Sequence, residues 1–107
     1  MANTFKNQGA ALTTGGAVVY TAPAATTAII HSCYISNIDG TNSADVTIKA
    51  RATSGDTYYH VTKTIPVPAD STLVLDKPID LEATGDVHAT ASANSDLEMV
   101  MGILEIT

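Results

Sequence analysis

His31 and Cys33 stand two residues apart. On an extended strand that spacing sets both side chains on one face, where an imidazole and a thiolate would suit a soft metal ion. Such a site needs two more converging ligands. The other histidines, His60 and His88, lie on distant segments, and neither a Cys-x-x-Cys nor a His-x-x-x-His is present. No metal site is therefore assigned, and Cys33 is expected to be a small buried hydrophobe. Asp39-Gly40-Thr41-Asn42-Ser43-Ala44-Asp45 offers oxygen ligands at alternate residues, as a calcium loop does. Its glycine comes too early and no glutamate closes it, so a turn between strands accounts for the same residues. Many Ser and Thr are present, but none sits in a nucleophile elbow or a Cys-His signature. Asp80 and Glu82 share a strand face, a pairing that eleven acids produce by chance. No glycine loop precedes a helix to cradle a phosphate. The expectation is a protein that is not an enzyme and carries no cofactor.

The elements that must position these residues are strands, because apolar positions recur at spacing two and not at 3.6. Thr27 to Ile38 reads as one long strand or a bulged pair, since at ~3.3 Å per residue it would span about twice the usual strand. Its apolar groups fall on both faces, with Ile29, Cys33 and Ile35 on one and Ile30 and Tyr34 on the other. Ala17–Thr21 precedes it, stopped by Pro23. Val46, Ile48, Ala50 and Ala52 alternate with polar residues, and Ser54-Gly55-Asp56 turns the chain into a return strand, Thr57 to Ile65, ended by Pro66 and Pro68. On that return strand Tyr59 is expected inside with Val61 and Ile65, leaving Tyr58 outward. Thr72–Leu75, Ile79–Leu81, Val87–Ser92 and Leu97–Ile106 complete the set. The last is apolar on both faces: Leu97, Met99, Met101 and Ile103 against Val100, Leu104 and Ile106 with Glu98. It is either central in its sheet or covered by another chain. The sum is an all-β chain, a two-layer antiparallel sandwich of seven to eight strands, jelly-roll-like or immunoglobulin-like. Residues 1–16, with Gly9, Gly15 and Gly16, read as an extended N-terminal arm, and 17–107 as the sandwich domain.

Composition agrees. Of 107 residues, 33 are Thr, Val or Ile, and there is no Trp and one Phe. Five Lys and Arg against eleven Asp and Glu give a net charge of −6, which argues against nucleic acid or an anionic membrane as partner. The charge is uneven. From Asp70 onward there are eight acids and one Lys, whereas Asp39 to Thr64 balances three acids with Lys49, Arg51 and Lys63. That asymmetry suits either a solvated acidic face or an oriented protein contact. One cysteine forms no internal disulfide, and the N-terminus lacks the plan of a signal peptide, so synthesis and residence in a cytoplasm are expected. A sugar ligand is disfavoured, because stacking platforms commonly use exposed Trp and only Tyr20, Tyr34, Tyr58 and Tyr59 are available.

Met-Ala-Asn-Thr-Phe-Lys-Asn at the start, Val18–Ile30, Ile-Pro-Val-Pro-Ala-Asp-Ser-Thr-Leu at 65–73, Leu81–Ser92 and the final Leu-Glu-Ile-Thr together resemble small virion proteins of tailed bacteriophages, particularly those of aquatic and cyanobacterial hosts. The resemblance spans most of the chain through strand-and-turn motifs of modest specificity. Thr84 departs from it by separating Glu82-Ala83 from Gly85-Asp86 and so lengthening that turn. The resemblance implies a non-enzymatic structural protein made in the host cytoplasm and located in the virion, either a capsid decoration (cement) protein on the capsid surface or a neck, tail or fibre-associated component. Its partners would be the major capsid protein and copies of itself, as a trimer. Residues expected to meet those partners are Asn3, Thr4, Phe5 and Lys6 on the arm, and Lys49, Arg51, Lys63 and Tyr58 on the hairpin.

Overall fold

The structure, a computed structural model, describes residues 2–107. It contains β1 (Asn3–Ala11), β2 (Ala17–Thr21), β3 (Thr27–Asn37), β4 (Ala44–Arg51), β5 (Tyr59–Val67), β6 (Thr72–Leu75), β7 (Ile79–Leu81), β8 (Asp86–Ala91) and β9 (Leu97–Ile106). One sheet has the order β1-β9-β3-β6, with β7 also on β3, and the other has β2-β8-β4-β5. All pairings are antiparallel. The chain changes sheet at every connection except the β4–β5 hairpin and the short β6–β7 link, so late strands insert between early ones. This nesting is a jelly roll, which decides between the two connectivities that the strand pattern allows.

β9 is a central strand, and its two-faced pattern has a simple meaning. Leu97, Met99, Met101 and Ile103 point inward and are fully buried with Ile30, Ile35, Val46, Ile48, Val67 and Val87. Each such side chain contributes about 1.5–3 kcal/mol by leaving water. The outward set, Val100, Leu104 and Ile106, remains on the surface.

β1 is where the structure departs most from the sequence reading. Of the 1–16 segment, Met1 lies outside the described residues; Asn3 to Ala11 is extended, but it lies along β9 in unbroken register from Asn3↔Ile106 to Ala11↔Glu98. Leu12 then enters the core. The segment is therefore not a free arm: it is the edge strand of a sheet, which makes nine strands in place of seven or eight. Few of its side chains are apolar, so hydrophobic alternation could not reveal it. Backbone pairing with β9 holds it instead.

A bulge in β3 overturns a second expectation. Pairing with β9 steps from Ile30↔Ile103 to Ser32↔Gly102, leaving His31 as the extra residue. The side-chain alternation shifts there. Ile30, Cys33 and Ile35 face the core, while Ile29, His31 and Tyr34 face out. His31 and Cys33 thus lie on opposite sides of the sheet, and the ligand spacing dissolves. The Cys33 thiol is buried, and burial pushes its pKa up to about 12.

β5 is the third correction. Register shifts flank Ile48, and Thr64 takes a left-handed φ of 47° while its N–H donates to Thr47 Oγ1. The strand continues through Pro66 to Val67, because an edge strand tolerates a missing donor on its open side. Tyr59 and Ile65 do pair opposite the inward Ala50 and Val46, yet Tyr59 is 74% exposed and Val61 and Ile65 are also on the surface. Only Val67, at the end of β5, reaches the core; the stretch from Tyr59 to Ile65 at this sheet edge is left uncovered. Tyr58, expected outward and free, is the half-buried one.

Candidate functional site

Three surface regions carry groups able to bind something. The first is the outer face of the β2-β8-β4-β5 sheet, where three of the expected partner residues converge. Asp86, 3% exposed, opens β8 and accepts a hydrogen bond from Arg51 Nε at 2.8 Å and another from Tyr58 OH at 2.5 Å. The Arg51 guanidinium lies 4.6 Å from the Tyr58 ring centroid, Lys49 Nζ lies 5.4 Å from it, and the His88 ring packs at 5.6 Å. Register explains the meeting: Lys49 pairs opposite His88 and Arg51 opposite Asp86. Asp86 raises the pKa of Arg51, and burial, followed by the Asp86 hydrogen bond, raises that of Tyr58. Burial, then Lys49, lowers that of His88, whose Nδ1 has no hydrogen-bond partner. Gly16 closes over this ring: at φ 72°, a Cβ there would lie 2.6 Å from His88 Cε1 and 2.5 Å from Thr90 Oγ1. Apart from His88 Nδ1, the cluster is a satisfied polar network. Its carboxylate and its aromatic face are both occupied from within the chain, which leaves Lys49 and the outer side of the guanidinium for an outside acid. Lys63 lies on β5, exposed and apart from this group.

The second region is the open flank between the sheets. Tyr59, Asp56, Thr57 and Arg51 on the hairpin side face Asp80, Leu81 and Glu82 across a cleft of about 500 Å³. Gly85 sits at its back, where a Cβ would meet Ala52 O at 2.7 Å. Thr84 in the adjoining turn takes a φ of 66°, and its Oγ1 accepts a hydrogen bond from Ser54 N–H at 3.3 Å.

The third region is the outer face of the β1-β9-β3-β6 sheet. Val100, Tyr34 and Val74 are direct register partners across three strands and are 51%, 45% and 53% exposed. A second row runs Phe5, Leu104 and Ile29, and Phe5, 73% exposed, touches the bulged His31 edge-on at 6.2 Å. Of the four expected arm residues, Phe5 lies on this face, as does Asn3, whereas Thr4 and Lys6 alternate to the other side. There Lys6 pairs at 3.5 Å with Glu105, which also accepts from Tyr20 OH of the opposite sheet, so these residues fasten one end of the sandwich.

The Asp39 loop is a turn. Asp39 accepts hydrogen bonds from Thr41 N–H at 2.8 Å and Asn42 Nδ2 at 3.2 Å, which hold its carboxyl below the usual range. Buried Asn37 ties the loop to Val67 O, a role that no sequence signal marks. Among the described residues no three His, Cys, Asp or Glu converge as metal ligands would.

No family model and no curated protein matches this sequence. Two solved structures share the fold. One comes from Bacillus endospore appendages, described as a novel family of disulfide-linked pili; it has a TM-score of 0.60, 18% identity, and the alignment covers 99% of this chain and 87% of that one. The other comes from the acidic stable capsid of the Helicobacter pylori bacteriophage KHP30, with a TM-score of 0.55, 9% identity, and coverage of 100% and 89%. At these identities the likeness concerns the fold alone.

Proposed function

We propose that this chain is a non-enzymatic structural protein of a tailed-phage virion, a decoration protein that sits on the outside of the major capsid shell and clamps neighbouring subunits. The observation that carries this reading is that the likeness to a chain of a phage capsid structure extends over 100% of this chain. The resemblance of its strand-and-turn segments to small phage virion proteins points the same way. A pilus of the disulfide-linked kind is less well supported, because the one cysteine, Cys33, is buried under the sheet. The clamp would act by adding buried area across joints that internal pressure tends to part. Several modest contacts per trimer would then give avidity beyond any one of them.

The test is to dissociate the virion, separate heads from tails and probe each fraction for this chain, together with binding of the purified protein to shells assembled without it. Head localisation and saturable shell binding are expected. Presence on tails alone would replace the decoration reading with a neck or tail role.

A further inference from the structure

Resting on the decoration reading, we propose that the protein docks through the outer face of the β1-β9-β3-β6 sheet, and that the surface it takes on the shell is an apolar patch bordered by Lys or Arg side chains. The two apolar rows, Val100-Tyr34-Val74 and Phe5-Leu104-Ile29, lie four residues apart along β9. With strands ~4.8 Å apart and ~3.3 Å per residue, they outline about 190 Å² across four strands. That is about a quarter of the ~800 Å² that each side of a standard interface buries. Gly102, between the rows, leaves room for His31 and Ser32, since a Cβ there would lie 2.7 Å from each. The centre therefore has small and polar groups between two apolar ridges.

Charge selects the occupant. The strand positions facing outward on this sheet hold no Lys or Arg, and their only acids are Glu98 beside Val100 and Asp80 beside Ile29. Of the nearby cations, Lys6 is paired with Glu105, and Lys77 in the β6–β7 link stands next to Asp76 in the chain. Two copies meeting through this face would set acidic borders against acidic borders in a chain of net charge −6. The β2-β8-β4-β5 sheet of a second copy has cations of the right sign, but its large exposed apolar groups are Val18 on β2 and Tyr59, Val61 and Ile65 on β5, at opposite edges of that sheet and not in two matching rows. A surface with an apolar centre and a cationic border satisfies both features.

The experiment measures binding of the intact protein to shells assembled without it, for wild type, Tyr34→Glu, Val74→Glu and the pair Glu98→Lys with Asp80→Lys. Melting temperature and circular dichroism accompany each, since all four positions are on the surface. Tyr34→Glu and Val74→Glu are expected to lose about 30-fold or more in affinity with the fold intact. The charge-reversed pair is expected to lose about tenfold at low salt and to approach wild type at high salt. Wild-type binding that survives Tyr34→Glu and Val74→Glu overturns the docking face and leaves the decoration reading standing. Loss with Val74→Glu but indifference to charge reversal overturns the cationic border. A wild-type oligomer in sedimentation velocity that Val74→Glu dissolves assigns the face to a second copy and overturns the proposal. Wild type that fails to bind shells overturns the decoration reading and this inference with it.

Discussion

Asp86 is the residue on which the most side chains depend. Its buried carboxylate is held by Arg51 and Tyr58, so Asp86→Ala leaves a guanidinium and a phenol without their partner. A loss of about 2–3 kcal/mol is expected in urea unfolding, the Arg51 side chain being partly exposed and able to recover some hydration. Tyr58→Ser is expected to destabilise more than Tyr59→Ser, the reverse of what alternation along Thr57–Ile65 suggests, because only Tyr58 is covered. His88 adds a pH dependence whose direction follows from burial. Its pKa is lowered in the folded state, so the unfolded chain takes up the proton first. The stability it contributes is present above the ordinary imidazole value and is lost as pH falls through the folded one. Unfolding free energy measured from pH 7 to pH 5 should therefore fall less steeply in His88→Gln than in wild type. Cys33, buried and with its pKa pushed up to about 12, is expected to resist a thiol reagent at pH 8 in the native protein and to react fully in denaturant.

Among the elements, β1 separates two views of the N-terminus. A free arm could be removed without harm; an edge strand that covers β9 and delivers Leu12 to the core could not. Leu12→Ala is expected to cost about 2–4 kcal/mol, and removal of residues 2–12 to lower the melting temperature sharply, both read by thermal denaturation. The elements that sequence reveals well are those with one buried face. β4 alternates cleanly, and β9 announces its place by being apolar on both sides. Those it conceals depend on partners: β1 is polar and held by backbone pairing, and β5 is apolar but uncovered from Tyr59 to Ile65. The bulge at His31 has no local signature either. It lets the eleven residues of β3 pair along the ten of β9, and its effect is to reverse which of Ile29 and Ile30 is inside.

At the scale of the molecule, the jelly roll presents two unlike broad faces, one with Lys49 and Arg51 around the Asp86 carboxylate and one with apolar rows and acidic edges. The sequence by itself determined the all-β class, the core faces of β4 and β9, the burial of Cys33, the turn at Asp39 and the uneven charge. These depend on side-chain alternation, proline and glycine positions and charge order, all of which act within a few residues of one another. Lys49, Arg51 and Tyr58 were identifiable as candidates, but their convergence on Asp86 and His88 was not, since it needs β4 and β8 to be neighbours although Arg51 and Asp86 are 35 residues apart in the chain. Tertiary structure alone decided the strand order, the register that aligns Val100 with Tyr34 and Val74, and the enlistment of the N-terminal segment as β1. The physical reason is common to all three: antiparallel pairing is made by backbone groups that every residue carries, so which strands pair is decided by how the whole chain buries its core.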